Sequence, residues 1–170
     1  MLNLNRFLFL IVFILGFQFP AFAQNDAAAN NDALKIKNLT RGADIIVTGK
    51  VTKKTAGWND NKTRIYTKTT LQVDEVLKGN SRGTAVEITY PGGEVDGIGE
   101  LYTHTATFEK DEEVLVFLKK DEKSQGYKVL NGEEGKITVP RDTKTKEKTS
   151  SSDMQIDDLK SQIKSYIKNK

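Results

Sequence analysis

Cysteine is absent from this 170-residue chain, and histidine and tryptophan occur once each, as His104 and Trp58. Without cysteine there is no disulfide framework, no thiolate nucleophile, no Cys-ligated metal and no acylated lipoprotein terminus. Stability must come from packing and sheet hydrogen bonds. A lone histidine cannot assemble a zinc site without further His or Cys partners. Neither sign of charge dominates, with 26 Lys and Arg against 23 Asp and Glu. A surface that tracks phosphates needs a net basic patch, so nucleic acid is not an expected partner. The only long hydrophobic run is at the N-terminus.

That run, Phe7 to Phe17, follows Arg6 and precedes Pro20 and the small-x-small sequence Ala21-Phe22-Ala23. It is well short of the about 20 apolar residues that cross a bilayer, and fits the apolar core of a Sec-type signal peptide cleaved after Ala23. The expectation is a secreted or periplasmic protein with no membrane span after cleavage. Loss of residues 1–23 removes one basic residue, Arg6, and no acidic one, so the mature chain carries +2.

What remains has the length of one domain with a modest core. Residues 24–31 are small and polar, the composition of a flexible spacer, and Asp32 is placed to cap a short helix through Leu39 with Leu34 turned inward. From Ala43 the hydrophobic period becomes two: Ile45, Val47, Gly49 and Val51 share one face, predicting a strand with one dry side. Ala56 to Lys62 is dense in turn formers, with Trp58 expected at the tip of the hairpin. Thr63 to Val76 predicts a second strand, Ile65, Thr67, Thr69, Leu71 and Val73 on one face, long enough to coil or bulge around a barrel. Val86, Ile88 and Tyr90 mark a third strand that stops at Pro91-Gly92-Gly93, and Glu94 to Lys110 is irregular. Val114 to Leu118, apolar on both faces, reads as a central strand, and Tyr127 to Leu130 with Lys136 to Val139 as a closing pair. Residues 140–152 form a polar linker. Residues 153–168 follow as a helix capped at Ser152, with the stripe Ile156, Leu159, Ile163, Tyr166 and Ile167 expected to dock on the barrel or, alternatively, on a partner. The fold class is therefore mainly β: a small five-stranded, Greek-key barrel of the oligonucleotide/oligosaccharide-binding (OB) type over residues 32–139, with a short N-terminal helix and a C-terminal amphipathic helix.

No catalytic motif accompanies this pattern. The glycine-rich Pro91 to Gly99 lacks the Gly-Lys-Ser/Thr of a phosphate loop and no helix follows it. Glu94, Asp96 and Glu100, and separately Asn59-Asp60-Asn61, offer oxygens but not the spacing of an EF-hand. His104 has no serine on a sharp turn to activate. Paired carboxylates for glycoside hydrolysis are excluded by nothing and favoured by nothing. The candidate binding residues are Trp58, Tyr102 and His104, with Gly92 and Gly93 shaping their loop. A loop tryptophan anchors partners or stacks on a sugar, or else folds back over the barrel end.

The start Ala43-Asp44 with Gly49 and Val51, the Leu77-Lys78-Gly79 turn and the Pro91-Gly92-Gly93 turn resemble a group of bacterial secreted domains. They also resemble, over Ala43 to Val139, the OB barrel of netrin-like modules and tissue inhibitors of metalloproteinases. The resemblance implies the barrel. It does not carry over the inhibitors' mechanism, because their N-terminal Cys-x-Cys and their disulfides are absent here. The reading is an exported, non-enzymatic binding module with no cofactor and a protein or glycan partner. The alternatives are a secreted carboxylate-dependent hydrolase and a structural protein of the cell envelope.

Overall fold

The computed structural model describes residues 24–139 and 150–169, apart from Arg82 and Lys123. The expected signal peptide and most of the expected linker lie outside the described residues. The chain divides into two units at Leu34 and Lys35. Of the first, only the leading part of the helix α1 (Gln24–Gly42) is described. That helix takes in residues 24–31, where a spacer was expected, and Leu34, expected to face inward, is 56% exposed.

The second unit holds the strands β1 (Ile45–Trp58), β2 (Ile65–Lys78), β3 (Ala85–Pro91), β4 (Gly93–Val95), β5 (Ile98–Glu100), β6 (Glu113–Asp121), β7 (Gly126–Val129) and β8 (Lys136–Thr138), then helix α2 (Ser150–Lys168). The main sheet runs β1-β2-β3-β7-β6, and β6 returns to pair with β1, closing a five-stranded barrel. All its pairings are antiparallel except β3 with β7, which meet in parallel at Ile88 and Tyr127. Closure removes the sheet edges that an open sheet would expose. The register of β1 against β2 slips three times, at Ile46/Val47, Thr48/Gly49 and Val51/Lys53, and each slip adds bend and twist that help the sheet close.

Two hydrophobic layers follow from the alternation of side chains. Ile45, Val47, Val51, Leu71, Ile88, Phe108, Val114, Val116 and Leu118 fill the barrel. The intervening Ile46, Leu115 and Phe117 point out of it into a second layer made with Leu39 of α1, Ala43 just after that helix and Ile163 of α2. The start of β1 is thus dry on both sides, where its period alone predicts one, because helices cover its outer face. The α2 stripe docks here, with Leu159 and Ile167 packed around the buried Ile163. Each fully buried Val, Leu, Ile or Phe contributes about 1.5–3 kcal/mol, so these few residues are a large share of the folding free energy.

Three local expectations are revised. Trp58 is the last residue of β1 and not the tip of the hairpin. The segment after Gly93 contains a two-stranded sheet, β4 with β5. The strands expected to close the fold as a pair, β7 and β8, pair with β6 and not with each other: β7 along Leu118–Asp121, β8 along Val114–Val116.

Candidate binding groove

The motif residues singled out in the sequence are mostly occupied in building the barrel. The Asp44 carboxylate accepts the Lys120 backbone N–H at 2.9 Å and the Lys119 ammonium at 3.0 Å, and these two bonds hold its pKa below the usual carboxylate range. Gly49 is required because a Cβ there would run into the backbone carbonyl of Gln72, at one of the β1 register slips. The Lys78 ammonium reaches the end of α1.

The Pro91-Gly92-Gly93 turn is held in the same way. The Gly92 N–H donates to the Ile65 carbonyl at 2.8 Å, and the buried Thr67 hydroxyl donates to the Gly92 carbonyl at 2.7 Å. Gly93 sits at φ 131°, and a Cβ on it would press into the Thr67 hydroxyl and Ala56. Tyr102 ties the β4–β5 hairpin to β2: its hydroxyl donates to Glu100 Oε2 at 2.9 Å and accepts from Arg64 Nη1 at 2.9 Å, while Glu100 Oε2 also accepts the Ile65 N–H at 3.1 Å. His104 is exposed on a left-handed residue (φ 59°), its carbonyl accepting the Glu133 N–H. Asn59 Oδ1 accepts the N–H groups of Thr63 and Arg64 at 2.8 and 3.1 Å, which is turn chemistry. Among the described residues, no three His, Asp or Glu side chains converge as a metal site.

Trp58 lies elsewhere. It lines a groove of about 550 Å³ on the outer face of β1, β2 and β3, bounded by the β1–β2 turn at one end and the β6–β7 turn at the other. Volumes of about 300–1,000 Å³ are usual for small-ligand sites. Because Ile65, Thr67 and Thr69 point inward, Tyr66 and Lys68 must point out. Register then sets two rows across the face: Thr55, Lys68 and Thr89 in one, Gly57, Tyr66 and Pro91 in the other. Gly57 has nothing within 4 Å of where its Cβ would stand, so the surface beside Tyr66 is open. Tyr66 is 38% exposed.

The groove's far wall is Asp121 and Ser124, the Ser124 hydroxyl donating to Asp121 Oδ2 at 2.8 Å. Lys68 is engaged by Glu87 at 3.3 Å. Thr89 contributes a hydroxyl that is buried and has no hydrogen-bond partner.

Of the residues singled out by the sequence, Trp58 borders this groove at its β1–β2 turn end, where the register sets it opposite the buried Ile65 and so in the inward-pointing row, while Tyr66 is the aromatic on the outer face. Tyr102, Gly92 and Gly93 cluster at the β4–β5 junction, and His104 stands apart from both. Tyr66, Lys68, Thr89 and Ser124 were not nominated. Tyr66 did carry a signal, an aromatic on the wet face of an alternating strand. Comparison with known proteins finds no family model that matches the chain and no curated protein significantly similar to it. Among the described residues no helix is long and apolar enough to cross a membrane.

Proposed function

We propose that this protein is an exported, non-enzymatic binding module whose ligand seats in the groove formed by Trp58, Tyr66, Lys68 and Thr89. The observation that carries the reading is the open surface beside Tyr66, where Gly57 leaves an aromatic side chain accessible on the sheet face next to the β1–β2 turn. OB barrels use the face of their second and third strands, with the loops flanking it, to hold elongated ligands, and this groove occupies that face. The signal-like N-terminus supports export, and the netrin-like motifs support kinship in the barrel alone. Of the groove's two carboxylates, Asp60 and Asp121, the second accepts the Ser124 hydroxyl.

Gly57→Val tests the reading. Gly57 has an ordinary strand backbone, so valine suits it, and the added side chain fills the open space. Affinity capture from the producing cells' envelope and medium is expected to retain a ligand on the native protein and to lose it on Gly57→Val at unchanged thermal stability. Equal retention by both proteins would refute the site.

A further inference from the structure

From the pairing of β1 we infer that its last residues are a self-association surface whose partner is a second copy of this chain. The inference does not rest on the binding-module reading, and its test contains no ligand. Barrel closure covers the second edge of β1 only in part. β6 pairs with Ile45–Lys50, after which the Val51 N–H donates to the Glu112 carbonyl at 2.8 Å and the Val51 carbonyl accepts the Asp111 N–H at 2.9 Å. From there β1 runs on to Trp58 with β2 as its one ladder partner among the described residues.

The groups left on that edge follow from the ladder. The Asn59 N–H donates to the Arg64 carbonyl across the ladder, while the Ile65 carbonyl turns the other way, to the Gly92 N–H. Trp58 and Ile65 are therefore a non-hydrogen-bonded pair. The register holds without a slip from Lys53 to Trp58, so the pairs at Ala56 and Lys54 are of the same kind. The N–H and C=O groups of Lys54, Ala56 and Trp58 thus point off the free edge, a template for another strand.

This edge complements itself. Antiparallel pairing about a two-fold axis at Ala56 sets Ala56 against Ala56 of the second copy and Lys54 against its Trp58, and so uses every one of these groups. Slipping the pair toward Lys54 would set lysine against lysine. On the outer face Thr55 stands opposite Gly57 of the second copy, a position with nothing within 4 Å of where a Cβ would be. On the inner face Lys54 and Ala56 line an open groove of about 780 Å³ with Leu101, which is 89% exposed. Trp58 of the second copy, opposite Lys54, is placed to fill it, and tryptophan is among the side chains that most often anchor an interface. The Lys54 ammonium is paired with Glu109 at 3.1 Å and brings no net charge to the contact.

Sedimentation velocity of the purified protein from about 5 µM to about 1 mM is expected to show a reversible monomer–dimer equilibrium, as suits a small interface. Ala56→Pro removes an N–H that the β2 ladder does not use and puts the ring on the free edge, which keeps β1 and blocks strand addition. It should weaken dimerisation about tenfold or more with an unchanged circular dichroism spectrum. Should that variant unfold, Ala56→Cys decides. Hydrogen-bonded pairs lie about 5.5 Å apart at Cα, within disulfide range, and the chain has no other cysteine. Under mild oxidation Ala56→Cys is expected to form a covalent dimer several times faster than Glu122→Cys on the β6–β7 turn. A native protein that stays monomeric to the top of that concentration range overturns the inference. So does an Ala56→Pro that dimerises as tightly as the native chain, or equal cross-linking at positions 56 and 122.

Discussion

Lys78 closes the C-terminal end of α1 on Thr40: its ammonium donates a 2.6 Å hydrogen bond to the Thr40 carbonyl and another of 2.6 Å to the Ala43 carbonyl. Carbonyls at a helix end lack intrahelical partners and carry partial negative charge, so a cation there satisfies both deficits. Lys78→Met keeps the length of the side chain and removes the cation. We expect it to lower stability by about 1–2 kcal/mol, read as a shift in the urea midpoint with the slope unchanged. An unchanged midpoint would show that water replaces the ammonium without cost.

Ile163 is fully buried between Leu39, Ile46, Leu115 and Phe117. Ile163→Ala leaves a cavity on the outer side of the barrel wall, and the expected loss is about 2–5 kcal/mol. Thermal unfolding checks it. A loss below about 1 kcal/mol would mean that α2 contributes little to the native state.

Acid should destabilise the fold through three carboxylates. The Lys120 N–H and then Lys119 lower the pKa of Asp44, and Lys164 followed by Lys160 lowers that of Glu75. Burial raises that of Glu112, but its bonds with Lys136, the Glu109 N–H and Thr138 outweigh this and leave it lowered. With folded values below the unfolded values of about 3.9 and 4.3, each carboxylate binds protons more tightly in the unfolded chain. Their stabilisation is complete above those unfolded values and disappears as pH falls through the folded ones. Urea midpoints are expected to be level from about pH 7 to 5.5 and to drop below about pH 4.5, with the drop reduced in Glu112→Gln. A curve that rises toward acid would contradict these shifts.

Tyr102 and Tyr66 should separate structure from binding. Tyr102→Phe removes the hydroxyl that joins Arg64 to Glu100 and is expected to cost about 1 kcal/mol of stability, with ligand retention unchanged. Tyr66→Ala is expected to do the reverse. Retention assays and thermal melts on the two variants, run together, check both halves. Loss of ligand in Tyr102→Phe at full stability would move the site to the β4–β5 junction.

The barrel was legible in the sequence because its signals are periodic. Ile65, Thr67, Thr69 and Leu71 alternate with polar residues, Val114 to Leu118 is apolar throughout, and both patterns survive folding unchanged. What escaped was set by pairing across strands. Nothing local says that β7 and β8 share one edge of β6, since both are short and flank a turn that suits a hairpin. The groove escaped for the same reason: Gly57 and Tyr66 are nine positions apart, and only the β1–β2 register makes them neighbours. Trp58 drew attention as a rare residue, and Tyr102 as an aromatic near glycines. Tyr66, between the buried Ile65 and Thr67, carries only the signal of an aromatic on the wet face of an alternating strand.

The second hydrophobic layer has a consequence for how the molecule comes into being. Phe117 and Leu115 are shielded by Ile163 of α2, while the barrel strands they belong to are complete by Val129. During synthesis the cylinder can therefore close with an oily patch still facing water, and α2 arrives to seal it later. Until then the nascent protein is a substrate for chaperones and a candidate for self-association. A stop codon ahead of residue 150 would make that transient state permanent.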